Sequence, residues 1–588
     1  MTTITTAAFA VPSIHFEVSF KEPQAHYAEI KMEISDFRND YIDVKMPVWT
    51  PGSYLIREYA RHVESVEACD AAGTHLTVQK TAKNTWRIHS KKAEKVTFSY
   101  RIYGFEVSVR TNFIDDSHAF LSPAATFMYV DGMLNLPAEV TVIPHANWST
   151  ISTGLESVAG KPNTFHAADF DILFDSPIEV GNQDVFTFEA AGVHHEIAMV
   201  GGGNYDKARL TADCAAIVEE ATAIFGVNPN KRYVFIVHNY QSGGGGLEHL
   251  NSTVLGASRN GYQSERSYVG FLGLVAHEYF HLWHVKRLRP MELGPFNYDA
   301  ENYTSALWIM EGFTAYYDNL LLRRCGFLSE GSYLQALTSD INAVENRPGS
   351  QIQSAAQASF DAWIKQYRPD ENSVNTSVSY YNKGALLAML LDVKILAATR
   401  GEKRLDDVLK AAYEQFYVSG KRGFEEQEFR ALVEQTAGTS VADIFDAARA
   451  VGPLDYNSYL NAVGYELVDN NQGLELPELG FNTSVNDGRI VVTSVTRGTG
   501  AWDGGINVRD EILAIDGERL DANGRELNRL MQTASVGDVL NVLLARDGKI
   551  RELEITLAKD TKGSFRIMPL QNASAEQIEL GKIWLSLN

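Results

Sequence analysis

Hydrophobic and polar residues alternate with a period of two over the first third of the chain, as in Val96-Thr-Phe-Ser-Tyr-Arg-Ile-Tyr103. That is the pattern of strands with one face in a core and the other in water. Turn-rich breaks such as Thr50-Pro51-Gly52-Ser53 separate the runs, so residues 1–185 are expected to form an antiparallel β domain. After Asp206 the period changes. Lys207 to Phe225 repeats with helical spacing and stops at Gly226, and Tyr233-Val-Phe-Ile-Val237 reads as a buried strand. From about Tyr268 to Tyr465 the pattern is mostly helical, with helices over Phe271 to Leu288, Ser305 to Arg324 (Gly326 as its stop) and Lys383 to Ala398. Beyond Asn470-Asn471-Gln472-Gly473 short strands return at Arg489–Val492, Glu511–Ile515, Asp538–Leu544 and Glu552–Leu557, with one helix near Arg525 to Met531. The predicted organisation is a multidomain α+β chain: a β domain over 1–185, an α/β and helical region over 186–468, a small β module over 472–560 and a tail over 561–588.

A length of 588 residues is ample for several cores. Lys plus Arg number 52 against 74 for Asp plus Glu, a net charge of -22, which argues against nucleic acid and anionic membrane as partners. The three cysteines, Cys69, Cys214 and Cys325, are far apart and form no CxxC pair, so they are expected to be buried free thiols. No apolar run reaches the roughly 20 residues of a membrane span, since Gly384 to Leu391 is closed off by Asp392 and Lys394. The first ten residues have no basic stretch or apolar segment of signal-peptide kind. The expected location is therefore the cytoplasm, or the periplasm or exterior if a leader was removed. No internal repeat is visible; glycine clusters at Gly201 to Gly203 and Gly243 to Gly246 are the local biases.

The sharpest chemistry is His277-Glu278-Tyr279-Phe280-His281, an HExxH string inside a helical pattern. Four residues at about 100° each bring both imidazoles to one face, a turn apart, where they can chelate one ion. Imidazole nitrogen suits Zn²⁺, and a catalytic zinc needs a third protein ligand and an open position for water. Glu278, beside the ligand face, is placed to take a proton from that water as it attacks a carbonyl. Two glutamates compete for the third ligand: nineteen residues separate Glu301 from His281, and twenty-nine separate Glu311. A thermolysin-like spacing favours Glu301. Local pattern favours Glu311, which lies in the apolar helix Leu307-Trp-Ile-Met-Glu311-Gly-Phe-Thr-Ala-Tyr-Tyr317. His284, a turn past His281, is set aside as too far from a shared ion.

Glu311-Gly312-Phe313-Thr314 after Leu307-Trp308 resembles the second zinc helix of gluzincins, and Pro47 to Tyr54, His277 to Pro290 and Leu307 to Asp318 resemble the glycyl aminopeptidase family. The resemblance implies a β domain, a thermolysin-like catalytic domain with a helical lobe and a PDZ domain in succession. It implies one Zn²⁺ per chain on His277, His281 and Glu311, whose longer spacing fits this family. The family of thermolysin has an Asp four residues after its glutamate ligand; Ala315 stands here, and Asp318 is the remaining candidate to support a zinc histidine. Gly243 to Gly246 followed by Leu247-Glu248-His249 resembles the exopeptidase signature of zinc aminopeptidases. A fixed carboxylate at Glu248 would take a free α-ammonium, and Gly245 and Gly246 would let a peptide backbone approach as an added strand. Tyr380-Tyr381-Asn382-Lys383-Gly384 resembles the segment that carries a transition-state tyrosine in related enzymes, matching Tyr381 to it with Tyr380 as its rival. Glu478-Leu479-Gly480-Phe481 and Arg509 to Gly517 resemble PDZ signatures, so this module is expected to bind a peptide C-terminus or to wall the active-site cleft. Together these imply a zinc aminopeptidase acting on peptides with a free N-terminus and small first residues such as Gly or Ala. A zinc endopeptidase with PDZ-assisted binding and a non-catalytic PDZ protein are the alternatives.

Overall fold

The computed structural model describes residues 12–522 and 524–586, so the first ten residues, expected to lack a signal peptide, lie outside the described residues. Two compact units divide the chain, one running to Tyr303 and taking in Ala412–Phe424, the other made of Thr304–Ala411 and the chain from Glu425 onward.

The first unit opens with the β domain that the alternation predicts. Its largest sheet has eight strands, with β1 (Ser13–Ser19), β2 (Tyr27–Ser35), β3 (Lys95–Tyr103) and β4 (Ala138–Ile143) at its centre. Pairing is antiparallel except between β1 and β4, which run parallel. Inward residues such as Phe16, Val18, Met32 and Phe98 are fully buried and share one core with two four-stranded sheets. A short helix, α1 (Phe170–Phe174), capped by Asp169, leads out of this core.

A five-stranded mixed sheet follows, built from β5 (Asp184–Ala190), β6 (Val193–Val200), β7 (Arg232–Tyr240), β8 (Gly246–Glu248) and β9 (Ser252–Ser258) in the order β5-β6-β7-β9-β8. The three-residue β8 is therefore an edge. Between β6 and β7 lies α2 (Lys207–Phe225), capped by Asp206 and ended by Gly226 in the left-handed region. After β9 comes α3 (Glu265–Phe280), which carries the HExxH string. No helix among the described residues is long and apolar enough to cross a membrane.

In the second unit, α4 (Leu307–Arg324), α5 (Glu330–Glu345) and α6 (Tyr380–Thr399) form the heart of the helical lobe. Helices α4 and α6 are apolar around most of their circumference, as befits helices enclosed by others. They meet at two glycines: a Cβ on Gly312 would stand 2.4 Å from Gly384 Cα. Asp392, which closes the apolar run in the sequence, is fully buried in α6 and held by Arg404 (2.7 Å), the Tyr316 hydroxyl (2.8 Å) and the Leu405 N–H (2.9 Å). A buried carboxylate needs such a set of donors.

The PDZ module follows β10 (Tyr465–Asp469). Its strands β11 (Phe481–Asn486), β12 (Arg489–Val495), β13 (Glu511–Ile515), β14 (Val539–Arg546) and β15 (Lys549–Thr556) form one sheet, with α7 (Arg525–Thr533) between β13 and β14. Asn375 of the lobe donates to the Val495 carbonyl and accepts from the Arg497 N–H, both at 2.8 Å. Residues 561–588, read from sequence as a tail, are structural over most of their length. Strand β16 (Phe565–Pro569) returns to pair with β10, and α8 (Ala575–Trp584) buries Trp584 against the Tyr316 hydroxyl. Cys69, Cys214 and Cys325 are free, and Cys214 alone of the three is buried.

The glycine crossing gives a direct test. Gly384→Ala would put a Cβ 2.3 Å from the Trp308 carbonyl oxygen. The expected loss is about 1–3 kcal/mol, read as a lower melting temperature by circular dichroism. Gly331→Ala, on α5 with nothing within 4 Å of the new Cβ, should hold or raise it.

Candidate metal and substrate site

Helix α3 is anchored by Tyr268, Leu272, Val275 and Tyr279, spaced to share one buried stripe. Tyr279 packs its ring on Tyr233 and Phe235 of β7 and its hydroxyl lies 2.9 Å from His195 Nε2. With that side fixed, the neighbouring face presents His277 and His281, whose Nε2 atoms face each other at 3.2 Å. His281 Nδ1 lies 2.7 Å from the His284 carbonyl oxygen. A carbonyl only accepts, so Nδ1 carries the proton and Nε2 of the neutral ring is a lone pair. Either the facing nitrogen donates a proton to it, or both accept one cation. Two nitrogens each about 2.0–2.1 Å from a tetrahedral zinc would stand roughly 3.3 Å apart, so the observed pair fits that ion's bite.

The sequence reading carries this helix to Leu288. In the structure the α-helix ends at Phe280, and turns fold the chain back, with Leu288 N–H donating to the Trp283 carbonyl at 2.7 Å. Val285 adopts φ +140°, a costly conformation for a β-branched residue. The peptide that this dihedral orients is the one bearing the His284 carbonyl. The local strain and the His281 hydrogen bond thus belong to one feature.

Along the edge strand β8, Gly256 N–H donates to Gly245 and His249 N–H to Ser252, so residues 245, 247 and 249 turn inward to β9. Gly246 and Glu248 turn their backbone groups to the open edge. Gly246 is pressed against Glu278: a Cβ there would lie 2.3 Å from Glu278 Oε1. Glu278, His281 and Glu248 are all buried and bring one ligand atom each within 4.8 Å of the others. Glu248 Oε1 has no hydrogen-bond partner among the described residues.

The β domain closes on this strand in three ways that the sequence did not foretell. Arg110 Nη2 donates to the Gly246 carbonyl at 2.9 Å. Gly52, in the turn after Trp49 and with φ +86°, lies so near that a Cβ on it would be 2.5 Å from Glu248 Oε1. Asp175, just past α1, accepts from Lys286 (2.7 Å) and the Leu250 N–H (2.8 Å) and pairs with His249 Nδ1 (3.0 Å). Burial alone would raise its pKa, but Lys286 and His249 outweigh that and hold Asp175 ionised below the usual range. Of these, only the Pro47 to Tyr54 string gave any sequence signal, and that as a likeness without a role.

In the second unit, Glu311 is buried on the first turns of α4. Tyr381 begins α6, half-buried, stacked at 4.7 Å on a fully buried Tyr380. Burial first, and then the charge of Glu311, push the Tyr381 phenol well above its ordinary pKa, so it remains a hydrogen-bond donor. Asp318, the candidate supporting acid, accepts from the Asn319 amide at 2.7 Å. Glu301 joins no cluster of metal-type donors among the described residues.

Three regions match known families: residues 15–182 the M61 peptidase N-terminal domain, 270–387 the M61 glycyl aminopeptidase, and 477–557 the PDZ domain. No curated protein matches the chain. The crystal structure of an aminopeptidase N family protein from Idiomarina loihiensis is 29% identical, with 97% of this chain and 100% of that one covered and a TM-score of 0.89. An M1 zinc metallopeptidase from Deinococcus radiodurans (13% identical, 76% and 94% covered, TM-score 0.46) and yeast LTA4 hydrolase (11%, 76% and 69%, 0.45) are more distant. The M61 models fall on the β domain and on the stretch from α3 to Tyr381 and Gly384, and the Idiomarina relative follows the chain from end to end, so the protein carries the N-terminal and catalytic regions of M61 glycyl aminopeptidases ahead of a PDZ domain and is a peptidase of the hydrolase class.

Proposed function

We propose that this protein is a zinc aminopeptidase that removes the first residue from peptides bearing a free α-amine, with His277, His281 and Glu311 as the ligands of one zinc ion. The two facing imidazoles fit the bite of such an ion, and the resemblance of Leu307 to Thr314 to a second zinc helix supplies Glu311 as the third ligand. Zinc there would acidify a water to a pKa of about 7 and polarise the scissile carbonyl.

The observation that carries the aminopeptidase reading is Glu248. It is 4% exposed and its Oε1 lacks a donor, yet it stands beside Glu278 and His281. A buried carboxylate in that condition is costly, and a substrate ammonium supplies charge-assisted donors to it. The Gly52 turn lies hard against the same carboxylate, so a chain extending beyond the amine would run into that turn. Glu278, flat beneath Gly246, is positioned to accept a proton where a peptide laid along β8 would present its scissile bond. Tyr381, kept protonated, donates to the oxygen that becomes negative during attack. Glycine comes first among N-terminal residues, on the strength of the matching family's description as glycyl aminopeptidase, with alanine, the next smallest side chain, beside it. The PDZ module is assigned to the binding of a peptide strand at the open edge of β11.

Three substitutions separate these roles. Glu278→Gln should retain zinc by metal analysis and lower kcat about 10²–10⁴-fold, and chelation of the wild type should abolish activity until zinc is restored. Substantial residual turnover would remove Glu278 as the base. Glu248→Ala should lower kcat/KM on Ala-anilide about 10–100-fold while sparing N-acetylated peptides; equal losses would discredit amine recognition. Tyr381→Phe should slow turnover by about two to three orders of magnitude at unchanged zinc content, and a wild-type rate would return the assignment to core packing.

A further inference from the structure

A hollow of about 310 Å³ lies between the glycine-rich approach to β8 and the first half of α3. Its walls include Gly244, Ser258, Tyr262, Gly270, Phe271 and Leu274, and no charged side chain among the described residues lines it. The aromatic wall is rigid. Tyr262 is 5% exposed, its hydroxyl donates to Asn239 Oδ1 at 2.6 Å, and its ring meets Phe271 edge-on at 5.3 Å.

The direction of the edge strand tells which part of a peptide would reach this hollow. Glu248 marks the amine end, and Gly246 lies over Glu278. Beyond Gly246 the chain runs back through Gly245 to Gly243, and on α3 Leu274 and Phe271 precede His277 by three and six residues. A peptide whose amine sits at Glu248 and whose scissile bond sits at Glu278 must carry its next residue past Gly245, onto the mouth of the hollow. We propose that this cavity receives the side chain of the residue just after the scissile bond and selects an uncharged apolar one of leucine or phenylalanine size. The assignment rests on the aminopeptidase reading for its direction. A charged side chain would be stripped of water there without a partner, and a glycine would leave the apolar walls uncovered.

The test uses the full chain loaded with zinc and the tripeptides Ala-Leu-Ala, Ala-Phe-Ala, Ala-Gly-Ala and Ala-Asp-Ala. The expected result is a kcat/KM for the Leu and Phe peptides about 10–200-fold above the Asp and Gly peptides. Gly270→Leu should then lower the Leu-over-Gly ratio about tenfold, since a Cβ at Gly270 meets nothing within 4 Å and the longer side chain would fill the hollow. Equal rates on all four wild-type substrates, or a ratio untouched in the variant, would overturn the proposal; the wild-type ratio decides alone if the variant does not fold. The same set with acetylated N-termini keeps the two readings apart. Blocked peptides cut as fast as free ones would sink amine recognition, while the Leu-over-Asp ratio would still score the cavity.

Discussion

Two imidazole nitrogens pointed at each other across 3.2 Å are the constraint around which the first unit is organised. His281 Nδ1–H donates to the His284 carbonyl, so the other nitrogen of that neutral ring can only accept. Two acceptors at this separation repel unless a proton or a cation lies between them. The fold sustains the arrangement by tight local means: a helix that stops at Phe280, a reversed turn, and a valine held at φ +140°. Strain of this kind costs of order 1–3 kcal/mol and persists when the surroundings over-determine it. Those surroundings are visible. Arg287, buried, donates to the Leu282 carbonyl at 2.7 Å and the Leu250 carbonyl at 3.1 Å, joining the turn after the motif to the loop after Glu248.

The same loop explains why a β domain stands before the catalytic sheet. A three-residue edge strand is a weak platform by itself, with few ladder bonds to fix it. Here the β domain braces it: Arg110 holds the Gly246 carbonyl, Asp175 ties His249 and Leu250 to Lys286, and the Gly52 turn abuts Glu248. Glycine is needed at position 52 on two counts, a left-handed φ of +86° and the absence of room for a Cβ. The N-terminal domain therefore builds part of the candidate site.

What the sequence disclosed follows from which interactions are local. Strand alternation, the cap of α2 and the HExxH spacing depend on residues a turn or less apart, and each was legible; α2 runs Lys207–Phe225 as the periodicity predicts. The end of α3 was not. Leu282-Trp283 continues an apolar helical pattern with neither glycine nor proline, and the turn is enforced by tertiary packing such as Trp283 stacked on Phe225 at 4.9 Å. Support for a zinc histidine was sought among acidic side chains, whereas His281 is held by a backbone carbonyl, which no residue type announces. The last 28 residues were read as a tail because β16 finds its partner in β10, about a hundred residues earlier. Asp392 served only as a full stop to an apolar run, since the arginine that makes its burial tolerable is twelve residues away.

A buried carboxylate with one oxygen left without a donor bears on how selectivity would arise under the proposed function. If Glu248 were already satisfied, a substrate ammonium would merely exchange one partner for another, and the gain would be small. On the proposed reading, with Oε1 left without a donor, the group would penalise every peptide that enters without a positive amine, because such a ligand expels water and gives that oxygen nothing in return. Sites that demand a hydrogen-bonding group reject analogues lacking it far more strongly than apolar pockets reject a missing methylene. Discrimination of this kind rests on the cost imposed on the wrong substrate as much as on affinity for the right one. On the proposed reading the glycine at position 52 would limit length by sterics and the glutamate at 248 would limit chemistry by charge, two independent filters set side by side.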